Sequence, residues 1–140
     1  MTGTPQEIDL TSYRLKVIGK VDHPLVLTYD DIRCMPRIEV HCHLVCPETF
    51  VDEATWAGVP LEYVLDLAGM QGGAEGIKLT GADEYSMPVP MIEVRVEDNL
   101  LAYEWEGEPL PILHGYPVRA VFPESVGSRW VKWLVEIEVY

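Results

Sequence analysis

The run His41-Cys42-His43-Leu44-Val45-Cys46-Pro47 holds two of the four histidines and two of the three cysteines in the chain. Zinc takes four nitrogen or sulfur ligands in a tetrahedron, and this run nominally supplies them. Successive side chains of an extended segment point to opposite sides, so His41 and His43 face away from Cys42, and the four converge only around a severe local bend. The alternative is a small buried Cys42 flanked by two half-exposed histidines. Cys46 is placed differently: it ends the alternating run just before Pro47, where loop side chains reach ligands. A thiolate there can act as a nucleophile or as a soft metal ligand. Either role needs a nearby positive charge or a metal to keep the thiol deprotonated, and an ordinary buried cysteine is the other reading.

A second group of residues supplies positive charge. Arg119, Arg129 and Lys132 are three of the ten basic residues, and Glu124 is the only acid between the first and the last of them. Gly127 and Ser128 can expose main-chain amides to an anion while the three bases add charge-assisted hydrogen bonds. The competing reading pairs these bases with carboxylates of the same chain. Asp83 and Glu84, in the turn Gly81-Ala82-Asp83-Glu84-Tyr85-Ser86, could serve as an acid/base pair, although adjacent acids in a turn are commonly just solvated. Trp56, Trp105, Trp130 and Trp133 read as packing residues rather than a stacking platform.

Twenty-three acids against ten bases give a formal charge of −13, which excludes nucleic-acid or anionic-membrane binding driven by the overall field. The 140 residues correspond to one domain, and 48% apolar with 24% charged residues are globular proportions. No run reaches the roughly 20 apolar residues of a transmembrane helix, and Met1 to Leu10 shows no leader pattern. Three cysteines are too few for a disulfide framework. The expectation is a cytoplasmic protein, or a periplasmic one if a leader was removed.

The elements that must position these residues are short, because eleven prolines and eleven glycines punctuate the chain from end to end. Tyr13 to Ile18 alternates as a strand, with Tyr13, Leu15 and Val17 on one face. Thr28 followed by Asp30 and Asp31 predicts a helix start, and Pro36 keeps that helix short. Arg37 to Leu44 alternates again, its core side holding Ile38, Val40, Cys42 and Leu44. Pro60 suits a first helical turn, and Leu61, Val64, Leu65 and Ala68 form one apolar stripe ending at Gly69. Ile77 to Thr80, Val118 to Phe122 and Val131 to Tyr140 read as further strands. Strands outnumber helices without regular alternation, which predicts a strand-rich α+β domain over residues 13–140 behind a tail of residues 1–12.

Taken together, these segments resemble the molybdopterin-binding domain of the sulfite oxidase family. Cys46 stands ten residues before Trp56-Ala57-Gly58-Val59-Pro60-Leu61, similar to the family's cysteine loop leading into a Trp-x-Gly-Val-Pro-Leu helix start. The run Leu101 to Pro111, then His114-Gly115-Tyr116-Pro117-Val118-Arg119 and Gly127 through Leu134, is similar to the family's most recognisable stretch. The likeness extends from Tyr13 to Val139. Phe50 stands where the family usually has tryptophan, and Glu84 where its Asp-Gly-Tyr-like turn has glycine.

The resemblance implies a sulfite-oxidase-like fold of mixed β-sheets with a few short helices, and a molybdenum-molybdopterin cofactor. It makes Cys46 the catalytic thiolate ligand of the metal beside the dithiolene sulfurs. It places His114, Arg119 and Lys132 against the pterin, with Ser128, Arg129, Trp130 and Val131 on the stretch that delivers the lysine and Asp83, Tyr85 and Ser86 in the nearby turn. The implied function is a molybdopterin-dependent oxidoreductase acting by oxo transfer on a small oxyanion or sulfoxide-like substrate. No haem-attachment motif or iron-sulfur cysteine set occurs, so electrons would pass to a separate carrier. A second copy of the chain could complete the pocket as a homo-oligomer. Two alternatives are a binding or regulatory module that kept the fold without the redox centre, and a zinc protein built on Cys42, Cys46 and histidines.

Overall fold

The computed structural model describes the backbone of residues 6–45, 51–125 and 129–140, and side chains over 6–41, 54–125 and 129–140. Two five-stranded sheets carry the fold. The first orders β2 (Leu25–Leu27), β1 (Leu15–Gly19), β10 (Leu134–Val139), β5 (Gly76–Gly81) and β6 (Ser86–Pro90) side by side. Among the described strands of this sheet β1 and β10 pair in parallel, joining the two ends of the described chain, and the other pairs are antiparallel. The second sheet runs β3 (Ile38–Val45), β4 (Val51–Pro60), β7 (Leu100–Trp105), β8 (Glu108–Pro109), and β7 also pairs with β9 (Arg119–Val121). Every pair in this sheet is antiparallel.

Local chemistry accounts for the short helices. α1 (Tyr29–Arg33) opens on a complete capping box, in which the Thr28 hydroxyl accepts from the Asp31 amide and the Asp31 carboxylate accepts from the Thr28 amide. α2 (Leu61–Ala68) buries Leu61, Val64, Leu65 and Ala68 as the stripe predicts, and Gly69 ends it in the left-handed conformation at φ 71°. Pro60 is the last residue of β4 and the N-cap rather than part of the first turn. α3 (Met91–Val94) is a single turn after β6.

Tyr13, Leu15 and Val17 are buried, as the alternation of the first strand requires. The core between the elements is built around Trp56, Trp130 and Phe122, and Trp133 is fully buried as well. Ahead of β1, Ile8 and Leu10 pack against the same core. Two strands escape a period-two search because they are buried on both faces: Leu100 to Tyr103 in β7 and Trp56 to Val59 in β4 show no exposed alternate residue. The last strand begins later than Val131. Trp133 takes a positive φ of 54°, and the β10/β5 register slips between Leu134 and Glu136. The strand-rich α+β architecture with short helices stands as expected.

Candidate functional site

Arg119 opens β9 and is 2% exposed. A buried guanidinium must have its N–H groups satisfied, and main-chain carbonyls do this. Nη1 donates to the His114 carbonyl at 3.0 Å, Nη2 to the Trp130 carbonyl at 3.0 Å and Nε to the Ala120 carbonyl at 3.4 Å. The guanidinium carbon also lies 4.9 Å from the Trp56 ring centroid and 5.5 Å from that of Trp130. Three carbonyls and two ring faces thus hold the guanidinium in one place in the protein interior.

The neighbouring segment is held to β9 by main-chain hydrogen bonds. The Ala120 amide donates to the Val131 carbonyl and the Leu134 amide to the Val118 carbonyl, both at 2.9 Å. This pairing brings Lys132 beside Arg119, and Gly115 lies between them. A Cβ on Gly115 would sit 3.0 Å from Arg119 Cβ and 3.3 Å from Lys132 Cβ, and its φ of 107° is one that L side chains rarely adopt. Lys132 Nζ lies 4.7 Å from the Trp133 ring centroid and donates to the Leu113 carbonyl at 3.1 Å.

His114 ends the 3-10 turn Ile112–His114 and packs its ring at 4.8 Å from Trp105 and 6.4 Å from Trp56. Trp56 and Trp105 are register partners across β4 and β7. Trp130 meets Trp56 edge-on at 5.8 Å. The four indoles differ in their N–H groups. Trp130 donates to the Phe122 carbonyl and Trp133 to the Ile112 carbonyl, whereas the buried Nε1 atoms of Trp56 and Trp105 have no acceptor among the described residues. An unmatched buried donor costs about 1–3 kcal/mol, so two beside one histidine are a notable expense for a small domain. Sequence reading treats all four tryptophans as packing residues. Nothing in the residue pattern separates satisfied indoles from open ones.

The remaining predicted residues fall in three places. Asp83 and Tyr85 lie in the turn between β5 and β6, and Ser86 follows it as the first residue of β6. The Asp83 carboxylate accepts from the Tyr85 amide, and the Ala82 amide donates to the Trp133 carbonyl. A Cβ on Gly81 would meet the Lys132 carbonyl oxygen at 2.5 Å and Asp83 Oδ1 at 2.7 Å, so this turn packs directly on the lysine segment. Glu84 takes φ 69°, the left-handed conformation that explains why a glycine suits this position. Arg129 is turned to other partners, with Nε 2.9 Å from Glu93 Oε2 and Nη1 2.9 Å from Met87 Sδ, which is the intramolecular pairing weighed for these bases. Cys46 and Ser128 lie outside the described residues, as do the side chains of Cys42 and His43.

Among the described residues no three His, Cys, Asp or Glu side chains form a metal-binding group. None of their helices is long and apolar enough to cross a membrane. Two cavities lie away from the cationic cluster: one of about 510 Å³ between α2 and residues 94–99, the other of about 340 Å³ between residues 10–14 and 28–30. The first is rimmed by the acids Glu62, Asp66, Glu97 and Asp98 against one base, Arg95, a net charge of the wrong sign for an anion.

The family model for the oxidoreductase molybdopterin binding domain matches residues 1–140. The chain is 34% identical over 138 residues to the uncharacterized oxidoreductase YuiH of Bacillus subtilis (strain 168), covering 96% of this chain and 68% of that protein. It is 33% identical over 162 residues to mitochondrial sulfite oxidase of Homo sapiens, covering 94% of this chain and 30% of the enzyme. The crystal structure of the sulfane dehydrogenase SoxCD from Paracoccus pantotrophus superposes with a TM-score of 0.91 at 29% identity, covering 97% of this chain and 40% of that one.

Proposed function

The chain belongs to the oxidoreductase molybdopterin-binding domain family, and from that premise we propose that it holds a molybdenum-molybdopterin cofactor between Cys46 and the Arg119–Lys132 cluster. The observation that carries this reading is the buried guanidinium of Arg119 next to Lys132, with Gly115 keeping the space between them free of a side chain. These residues fit a phosphate-bearing, acceptor-rich ligand, because cations and donors line the cluster. When bound, the cofactor supplies a metal centre that changes oxidation state by two electrons and transfers an oxygen atom to or from a small oxyanion or sulfoxide-like substrate.

The protein's own part is binding and orientation. Cys46, as a thiolate, is the sulfur ligand from the chain. Arg119 is fixed by three carbonyls and two indole faces, so it presents its charge without reorganising. Lys132 adds a second cation on a longer, more mobile stem. His114, packed against the rings of Trp56 and Trp105, adds an imidazole to the pterin side of the cluster. The turn that carries Asp83 and Tyr85, with Ser86 after it, packs on the lysine segment, and Ser128, Trp130 and Val131 precede Lys132 in the sequence. Arg129, through Glu93, anchors that stretch to α3. Electrons pass to a separate carrier.

Protein produced in a host that makes the cofactor should contain molybdenum and pterin fluorescence at one equivalent per chain. Protein that carries neither contradicts the reading.

A further inference from the structure

We infer that the indole N–H groups of Trp56 and Trp105 are hydrogen-bond donors to an acceptor group of the bound ligand, an oxo, phosphate or carbonyl oxygen, and so belong to the binding site proposed above, on which this inference rests. The fold treats its four tryptophans unequally. Trp130 and Trp133, both fully buried, each reach a main-chain carbonyl at 2.9 and 2.8 Å. Trp56 is 1% exposed, and its Nε1 is buried without an acceptor among the described residues, as is the Nε1 of its cross-strand partner Trp105. Native proteins rarely leave such donors unmatched, and each exception calls for a reason, a catalytic role or a bound ion or water among them.

The surroundings specify the ligand's chemistry. Both rings contact His114, and the Trp56 ring carries the Arg119 guanidinium on its face. An indole N–H can only donate, and a guanidinium can only donate. A ligand group placed against this corner must therefore accept hydrogen bonds and tolerate, or carry, negative charge. A ligand presenting N–H donors or a cation there is rejected, since it would leave the same donors unmatched and meet a like charge.

Indole 1H-15N spectra of the apoprotein and of the cofactor-loaded protein test this, with Trp130 and Trp133 as internal references. Signals are assigned from Trp56→Phe and Trp105→Phe, which keep an aromatic ring and remove only the donor. The expected result is a downfield shift and slower hydrogen exchange for Trp56 and Trp105 on loading, while Trp130 and Trp133 stay in place. Each Phe variant should also release pterin roughly tenfold faster, the size of one ordinary hydrogen bond. Should Trp56→Phe fail to fold, the part-exposed Trp105 carries the test alone. Molybdenum and pterin retained at one equivalent with both signals unmoved would overturn this inference and leave the binding site standing. A protein that retains neither overturns both.

Discussion

The Arg119 guanidinium stacks on the Trp56 ring at 4.9 Å, which ties β9 to β4 across the second sheet through a charge rather than through an apolar contact. The same cation bridges the carbonyls of His114 and Trp130, so it organises three separate segments at once. Replacing Arg119 by Met keeps volume but leaves those carbonyls without their donors. Charge-assisted bonds contribute about 1.5–3 kcal/mol each, so urea denaturation should show a loss of at least about 3 kcal/mol. Arg119→Lys should lose less than Met but more than a surface substitution, because one ammonium cannot span both carbonyls and two ring faces.

Gly115→Ala puts a Cβ 3.0 Å from Arg119 Cβ at a φ of 107°. Strain of this kind costs about 1–3 kcal/mol. The midpoint of thermal unfolding should fall, and cofactor retention should fall with it because the added methyl separates Arg119 from Lys132. A variant that unfolds earlier yet retains a full equivalent of pterin would show that Gly115 serves folding alone.

Glu84→Gly works in the opposite direction. Glu84 is exposed and sits at φ 69°, a conformation that costs a residue with a Cβ about 1–2 kcal/mol. Part of that gain is offset by the greater freedom of glycine in the unfolded chain. A rise in Tm of about 2–4 °C is expected by calorimetry.

Much of the framework is legible in the residue order, and the gaps have physical causes. The Thr28 capping box, the α2 stripe and the alternation of β1 depend on contacts only a few residues apart, so local pattern suffices for them. β4 and β7 lie in the middle of their sheet with both faces covered, which removes the polar half of the pattern that marks a strand. The left-handed Trp133 and the register slip after Leu134 delay β10 beyond what Val131 suggests. Within the site, charge clustering pointed to Arg119 and Lys132, and Gly115 follows from backbone geometry. Trp56 and Trp105 were hidden, because tertiary packing alone decides whether an indole N–H finds an acceptor. Arg129 illustrates the reverse: its position in the basic run does not show that Glu93, far away in sequence, holds it.

Tyr13 links stability to pH at the alkaline end. Burial pushes its phenol well above the usual tyrosine range, and its hydroxyl donates to the Leu134 carbonyl at 2.6 Å. The unfolded chain releases this proton near pH 10, while the folded chain keeps it. The contribution is therefore full below pH 10 and declines as pH rises through and beyond that value, by up to about 1.4 kcal/mol per pH unit for one proton. Tyr13→Phe should weaken the protein at neutral pH by about 1 kcal/mol and flatten the alkaline slope, as urea midpoints across pH 8–11 would record.

The central claim is that the thiolate of Cys46 binds the metal while the cluster around Arg119 grips the other end of the cofactor. X-ray absorption at the molybdenum edge reads the first half of that claim without depending on turnover. The account predicts one sulfur neighbour fewer around the metal in Cys46→Ser than in the unaltered protein, with pterin still present. An unchanged sulfur count in the two proteins would contradict it.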